Sequence, residues 1–293
     1  MALPVYATTS QRIGYYTFLT YCGLVFFFLI SPIFIVLPLS FSSSPFFEFT
    51  REFMTLDPSG WSLKWYKQMV NICGVEVTTV CTDKWMRGTV NSFYIGIVST
   101  FIATALGTVA ALGLSRPHMP FRALIMAILI SPMIVPLIIT AAGMFFFYSK
   151  LGLTHTYTGL ILAHTALGTP FVVITVTATL TGFDNNLIRA SQSLGADTMR
   201  TFFKVIMPLI LPGVISGALF AFITSFDEVV VVLFVGSVEQ VTIPRQMWAG
   251  LRQEISPVIL CMATCLVALS IALLTTVELL RRRSERLRGI KNR

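Results

Sequence analysis

Charge is what this sequence has least of. Only 12% of its 293 residues are Asp, Glu, Lys or Arg, whereas a soluble domain carries about a quarter. Hydrophobic residues make up 55% of the chain, and the mean hydropathy is +0.80. So little charge cannot cover the surface of a soluble protein of this size. The composition therefore excludes an ordinary soluble enzyme and predicts a membrane protein.

Motifs for nucleotide binding and catalysis are also missing. No lysine follows a glycine, so the phosphate-binding loop of ATPases is absent. Neither His-Glu-x-x-His nor Gly-x-Ser-x-Gly occurs, and the three histidines share no metal-ligand spacing. An intramembrane hydrolase would need a nucleophile and a base at a suitable spacing, which the sequence does not contain. We therefore expect no catalytic residues, no metal site and no cofactor in this chain.

Six long windows contain no charged residue: 13–47, 88–115, 123–149, 151–183, 205–226 and 255–277. A membrane-spanning helix needs roughly 20 mostly apolar residues to cross a hydrocarbon core about 30 Å thick. The pattern predicts an all-α, polytopic membrane protein with six transmembrane helices. Their expected positions are 15–39, 90–114, 123–148, 158–181, 208–236 and 257–280. We expect one transmembrane domain over residues 1–293.

Positive charge indicates the orientation. Of the 21 Lys and Arg residues, 13 lie in the two tails and in the second and fourth connections, and eight lie in the others. Because basic segments stay on the cytoplasmic side, both termini are predicted to be cytoplasmic and residues 41–88 to form an external loop. The basic tail, 281–293, follows the last span directly. It is better suited to contact the anionic inner leaflet than to bind nucleic acid.

The five cysteines fall into two groups. Cys22, Cys261 and Cys265 lie in apolar spans and are expected to be small buried hydrophobes. Cys73 and Cys81 lie in the external loop, where thiols can oxidise. We expect a disulfide between Cys73 and Cys81, with two free thiols as the alternative.

The fourth connection, 182–207, is the longest one predicted on the cytoplasmic side. Asp184 and Asn185 are residue types that cap helix N-termini, and Gly195 can end a helix in a left-handed turn. These signals predict a short helix over 184–196 on the membrane face, followed by a second amphipathic stretch over 198–206. Small side chains at Ala190 and Ser191 would let a partner surface approach closely.

This connection resembles the cytoplasmic loop of ABC importer permeases, whose pattern is Glu-Ala-Ala, three residues, Gly, nine residues and Ile-x-Leu-Pro. Here Arg189-Ala190-Ser191, Gly195 and Val205-Ile206-Met207-Pro208 keep that spacing, with Arg189 in place of the acid and Ser191 in place of the second Ala. The resemblance implies an ATPase-coupling surface. Its expected residues are Asp184, Arg189, Ala190, Ser191, Leu194, Gly195 and Ala196.

The resemblance also implies a type I importer permease fold in a bacterial inner membrane. The expected partners are a homologous second permease, two ATP-binding cassette subunits that bind ATP and Mg, and a periplasmic solute-binding protein. Within the family, the run Thr-Ser-Phe-Asp-Glu-Val-Val-Val at 224–231 is similar to spermidine/putrescine permeases. Import of a polyamine such as spermidine or putrescine is therefore the activity that the resemblance implies.

An acidic pair, Asp227 and Glu228, interrupts the fifth predicted span. A carboxylate at the centre of a membrane helix costs about 2.5–3.5 kcal/mol to insert, so it normally faces a wet cavity or a cation. No Lys or Arg lies inside a predicted span, whereas a cationic cargo could be the partner. We assign Asp227 and Glu228, with Thr224 and Phe226, to the cargo pathway. Because adjacent residues on a helix point about 100° apart, we expect one acid to face the cavity and the other a neighbouring helix, with Asp227 in the pathway. Solvation of both acids in the outer headgroups is the alternative.

Other functions stay open at this point. The same machine could carry an opine, a γ-amino acid or another amine. A protein of a different class, a channel or a proton-coupled secondary transporter without an ATPase, could use Glu228 and His164. His164 lies in the fourth span and could instead be a neutral imidazole hydrogen-bonded by Thr165 and Thr169.

Two further patterns bear on structure. Gly213, Gly217 and Ala221 repeat at every fourth residue of the fifth span, which favours close packing against another helix. Residues 243–254 are typical of a short amphipathic helix at the outer interface, with Trp248 as its anchor.

Overall fold

The computed structural model describes residues 8–70, 83–116, 118–184, 186–253 and 255–287. Within those ranges the chain is helical, and its β-pairing is limited to one isolated bridge between Ser42 and Trp61. The α-helices of the described ranges are α1 Thr9–Leu39, α2 Arg51–Met54, α3 Lys64–Met69, α4 Lys84–Leu114, α5 Arg122–Ile134, α6 Leu137–Lys150, α7 Tyr157–Thr181, α8 Asn186–Ser193, α9 Thr198–Thr201, α10 Met207–Phe226, α11 Val230–Val235, α12 Ile243–Gln253 and α13 Val258–Leu287. A 3-10 turn, Pro58–Gly60, precedes α3, and a π-helical turn, Phe202–Ile206, joins α9 to α10.

The predicted all-helical membrane architecture is confirmed. In the described ranges, five helices are long and apolar enough to cross a membrane, namely α1, α4, α7, the continuous helix over Thr198–Phe226 and the first part of α13. A sixth candidate consists of α5 and α6 together. The helix α4 begins at Lys84, so the last residues of the predicted external loop, 41–88, are helical. The last helix reaches Leu287, so the first residues of the predicted basic tail are helical.

The third predicted span is not one straight helix. Its two halves, α5 and α6, are bent by 102° at the break between them. Val135 in the break is extended, with φ −69° and ψ 136°, and Pro136 follows it. The ring of a proline clashes with a helical conformation of the preceding residue, which accounts for the position of the break. The prediction of a continuous helix over 123–148 was therefore wrong.

The chain divides into two compact units: Met1–Cys81 with Ile255–Ile271, and Thr82–Glu254 with Ala272–Arg293. In the first unit, Thr8 and Gln11 cap the N-terminus of α1 reciprocally. Large apolar side chains along α1, such as Phe26, Phe27 and Phe28, are exposed, which suits a helix surrounded by lipid. The turn after α1 is tied to α13 by a hydrogen bond from Cys261 Sγ to the Ser40 carbonyl.

The second unit is built on close contacts among α4, α7 and α10. Gly213 and Gly217 of α10 lie against α7, where a Cβ on Gly217 would be 2.8 Å from Val172 Cα. Gly168 of α7 lies against Ala221, and Gly107 of α4 lies against Val172. The small residues therefore let the three backbones approach, as the Gly213, Gly217 and Ala221 repeat predicted.

A second group of buried side chains joins α6, α7 and α11. It contains Ala141 and Tyr148 from α6, Leu160 and Ala163 from α7, and valines of α11. Val231, Val232 and Val235 are fully buried in this group. The short helix α11 is thus held by packing rather than by its own length, since a helix of six residues is not stable alone.

Candidate functional site

The candidate site lies where the fifth predicted span is interrupted. The helix α10 ends at Phe226, Asp227 closes its last turn by donating its N–H to the Ile223 carbonyl at 3.0 Å, and α11 starts at Val230. The fifth span predicted over 208–236 is therefore not one helix, because the two acids that interrupt it lie in a break between α10 and α11. The expected pathway residues Thr224, Phe226, Asp227 and Glu228 all lie at this break or in the turn before it.

The two acids have different surroundings. Asp227 is exposed, whereas Glu228 is only 6% exposed. Glu228 Oε1 accepts the backbone N–H of Val231 at 2.8 Å, so this carboxylate caps the first turn of α11. A carboxylate is stabilised there because the free N–H groups of a helix start carry partial positive charge. Of the pair, only Asp227 has an exposed side chain.

Three aromatic rings lie beside the break. The Phe226 ring contacts Phe93 of α4 edge-on, with centroids 5.1 Å apart, and Phe222 of α10 at 5.3 Å. Phe222 also lies against Gly96, where a Cβ would be 3.2 Å from its ring. Phe222 could have been inferred from the sequence, since it precedes Phe226 by one helical turn. Phe93 could not, because only the packing of α4 on α10 brings it here.

A buried hydrogen-bonded chain fixes the end of α10. His164 Nδ1 of α7 lies 2.7 Å from Ser225 Oγ, and Ser225 Oγ lies 3.0 Å from Ser99 Oγ of α4. All three residues are buried, with His164 at 1% exposure. The sequence-based alternative named Thr165 and Thr169 as the partners of His164, and this was wrong. Thr165 donates to the Ser99 carbonyl and Thr169 to the Thr165 carbonyl.

The connection after α11 is anchored at its outer end by α4 and α7. Asn91 Nδ2 donates to the carbonyls of Glu239 and Val241, at 2.8 and 2.9 Å. Tyr157 Oη donates to Asn91 Oδ1 at 3.0 Å, and the N–H of Ile243 donates to Ser92 Oγ at 2.8 Å. The bond between Ile243 and Ser92 lies at the start of α12, which corresponds to the helix predicted over 243–254. The expected anchor of that helix, Trp248, is exposed. Both ends of the segment 227–243 are therefore fixed to the three packed helices α4, α7 and α10, which we call the three-helix core.

The expected ATPase-coupling residues lie on the short exposed helix α8 and in the turns at its two ends. Asp184 caps it by accepting the N–H of Asn186 at 2.9 Å. Gly195 has φ +79°, its N–H bonds the Gln192 carbonyl, and the N–H of Ala196 bonds the Ser191 carbonyl. This is the Schellman arrangement, so the predicted left-handed glycine end is confirmed. Ser191 Oγ also bonds Thr201 Oγ1 at 3.0 Å, which ties α8 to α9.

The outward surface of α8 is available for contact. Arg189 and Ala190 lie on it, and Leu194 is 89% exposed. Asn185 lies outside the described residues, as do Cys73 and Cys81, so their predicted roles stay predictions. Among the residues that the structure describes, no group of three His, Cys, Asp or Glu side chains could hold a metal ion.

Residues 103–286 match the family of binding-protein-dependent transport system inner membrane components. The spermidine/putrescine transport system permease protein PotC of Haemophilus influenzae is 28% identical over 237 residues, which cover 81% of this chain and 88% of that protein. The putrescine transport system permease protein PotI of Escherichia coli K12 is 27% identical over 255 residues, which cover 83% of this chain and 82% of that protein.

Solved structures share the fold. A chain of a bacterial ABC transporter involved in the import of the acidic polysaccharide alginate matches with a TM-score of 0.72 at 17% identity, covering 94% of this chain and 99% of that one. A chain of the MetNI methionine ABC transporter matches with a TM-score of 0.50 at 22% identity, and the match covers 71% of this chain and 96% of that one. The matched family segment exceeds half of the chain. The protein therefore belongs to the inner-membrane permeases of ABC transporters, integral transport subunits whose ATPase is a separate component.

Proposed function

We propose that this permease imports a small organic cation, with a polyamine such as spermidine or putrescine as the cargo. The observation that carries the proposal is the exposed carboxylate of Asp227 in the break between α10 and α11. Among the residues that the structure describes, no Lys or Arg forms an ion pair with Asp227, whereas Asp83 does pair with Arg87. An uncompensated acid at a helix break in a membrane protein is a suitable site for an ammonium group.

The aromatic rings beside Asp227 strengthen the choice of a cation. An ammonium group is attracted to the face of an aromatic ring within about 6 Å, by about 0.5–2 kcal/mol. Phe226, Phe222 and Phe93 lie together beside the break that holds the acid. A polyamine alternates ammonium groups with short methylene segments, so it can use the carboxylate and the rings together. The named relatives support the same cargo, since two of them are polyamine permeases.

Two ATPase subunits are proposed to act through α8. The exposed Leu194, together with Arg189 and Ala190, offers a surface with apolar and basic side chains at a helix whose two ends are fixed. The bond from Ser191 to Thr201 connects α8 to α9, and α9 continues through the π-helical turn into α10. A displacement of α8 by the ATPases would therefore be transmitted along α10 towards Asp227. Such a displacement would drive transport only if it favours one of two conformations of the permease, with the cargo site open to the cytoplasm or open to the outside.

The remaining partners follow from the same proposal. A homologous second permease would complete the pathway, and a periplasmic solute-binding protein would deliver the amine. Both termini are proposed to be cytoplasmic, with residues 1–293 acting as one permease domain. Family membership excludes the alternative of a stand-alone channel or proton-coupled transporter. An opine, a γ-amino acid or another amine remains the competing cargo within the same machine.

The cargo can be tested with the complex reconstituted in vesicles, with its own binding protein outside and ATP inside. Uptake of radiolabelled putrescine and spermidine is expected to depend on ATP and to be inhibited by vanadate. Unlabelled γ-aminobutyrate and an opine should not compete, since each carries a carboxylate that Asp227 would repel. Saturable uptake of either acid, with no uptake of the two polyamines, would contradict the proposed cargo.

A further inference from the structure

The stretch that follows α1 is folded back onto the end of that span. The N–H of Ser43 donates to the Gly60 carbonyl at 2.9 Å, and the N–H of Ser62 donates to the Phe41 carbonyl at 2.8 Å. Trp65 Nε1 donates to the Ser42 carbonyl at 2.9 Å. Both ends of the segment 44–59 are therefore fixed to the turn where the apolar run of α1 stops. This segment must lie close to the membrane boundary.

The interior of this small element is already occupied. Phe53 is 5% exposed and stacks on Trp61 with the ring centroids 4.2 Å apart. Gly60 lies so close to the same turn that a Cβ would be 2.6 Å from the Phe53 nitrogen. Phe53, covered by the ring of the partly exposed Trp61, is thus the only large apolar side chain that the segment 44–59 buries among the described residues.

Five other side chains of the segment are exposed, although they are large and apolar. Met54 and Leu56 are 71% and 74% exposed, and the others are Phe46, Phe47 and Phe49. All five belong to the short segment 46–56, which is tied to a transmembrane helix. Clustered exposed hydrophobes of this kind mark a surface that meets another apolar phase or a partner.

Leu56 is held outward by an unfavourable backbone. Its φ is +59°, a left-handed conformation that a leucine rarely adopts. The turn is fixed by the N–H of Leu56, which donates to the Phe53 carbonyl, and by the N–H of Asp57, which donates to the Glu52 carbonyl. These two bonds end α2 at a position where glycine is the usual residue. The strained turn fixes the leucine side chain at the surface, where contact with lipid is more favourable than contact with water.

We propose that the segment 46–56 rests in the headgroup region beside the end of α1, with Phe46, Phe49, Met54 and Leu56 in contact with acyl chains. Continuity with α1 is the reason to choose lipid over a protein partner. The headgroup layer is about 5–8 Å thick on each side of the hydrocarbon core, and the segment is tied to the residues that enter that layer. Charge does not drive the contact, because Glu48, Glu52 and Asp57 outnumber Arg51.

Photo-crosslinking of the assembled transporter tests this contact. The amino acid p-benzoyl-phenylalanine replaces Leu56 or Met54, and the complex is irradiated in vesicles of phosphatidylethanolamine and phosphatidylglycerol. The same substitution at Phe28, which is exposed in the middle of α1, is the positive control. Substitution at Ser59, exposed in the 3-10 turn, is the control for a water-facing position. Mass spectrometry then identifies the attached molecule.

The proposal predicts phospholipid adducts at positions 56 and 54, as at position 28, and far lower yields at position 59. The yields should not fall when phosphatidylglycerol is omitted, because apolar contact is the driving force. An adduct with the second permease or with the binding protein would overturn the proposal and identify that partner. Absence of adducts at both 54 and 56, with normal labelling at 28, would show that the segment faces water and would overturn it too.

Discussion

The imidazole of His164 and the hydroxyl of Ser225 are joined by a buried hydrogen bond of 2.7 Å, two residues before Asp227. Because Ser225 also bonds Ser99, this pair links α7, α10 and α4 at one level. These bonds therefore fix the orientation of the end of α10, which Asp227 follows, relative to α4 and α7.

Replacing Ser225 with Ala should destabilise the permease. The substitution leaves His164 Nδ1 buried without its partner, which costs about 1–3 kcal/mol. Thermal unfolding of the purified complex, followed by tryptophan fluorescence, should show a lower Tm. Thr181→Ala is the matched control, since its exposed hydroxyl bonds only the Ala178 carbonyl of its own helix. Equal Tm values for the two variants would show that the His164–Ser225 bond contributes nothing.

Replacing Gly195 with Val should weaken ATPase binding. A β-branched residue at φ +79° is disfavoured by about 1–2 kcal/mol, which would disrupt the end of α8. If that energy is lost from docking, the affinity of the permease for the ATPase falls by about tenfold. Titration of the ATPase onto the permease in detergent measures this affinity. Gly182→Val is the control in the same connection, because Gly182 has φ −91° and its Cβ would meet nothing closer than 3.9 Å. Normal affinity of the Gly195 variant would argue against docking on α8.

Replacing Gly217 with Ala should strain the contact between α10 and α7. The added methyl group would lie 2.8 Å from Val172 Cα, and overpacking of this kind costs about 1–3 kcal/mol. We expect a lower Tm for the complex. Gly143→Ala in α6 adds the same methyl group where no atom lies within 4 Å, so it should have little effect. A tolerated alanine at 217 would show that the helices are farther apart than described.

A disulfide between Cys73 and Cys81 remains a prediction, since both lie outside the described residues. Peptide mapping by mass spectrometry without reduction should recover the two cysteines in one linked fragment. If the bond forms, reduction should destabilise the complex by up to about 2–4 kcal/mol, although the short loop favours the lower end. Recovery of both as free thiols would exclude the bond.

The sequence was sufficient for features that depend on local chemistry. Apolar length predicted the spans, and the capping role of Asp184 and the left-handed Gly195 followed from residue type alone. The break at Val135 was also encoded locally, in Pro136, but long hydrophobic runs were interpreted as straight helices. Because the acidic pair was treated as part of one helix, the role of Glu228 as the cap of a second helix, α11, was not predicted.

Features that depend on packing could not be predicted. The partner of His164 is 61 residues away in the chain, and Phe93 meets Phe226 only because α4 lies against α10. Nothing in the periodicity of either helix indicates these pairs. The composition therefore indicated the class of protein and the acidic candidates, while the bond from Val231 N–H to the buried Glu228 carboxylate required coordinates.

The most direct test of the account compares Asp227→Asn with Glu228→Gln in polyamine uptake by the reconstituted complex. Both variants remove one negative charge, and the amide oxygen of a glutamine side chain at position 228 would still accept the N–H of Val231, as the carboxylate of Glu228 does. We expect Asp227→Asn to abolish uptake while the complex stays assembled, and Glu228→Gln to keep most of it. Normal uptake by Asp227→Asn would contradict the central claim that this carboxylate meets the cationic cargo.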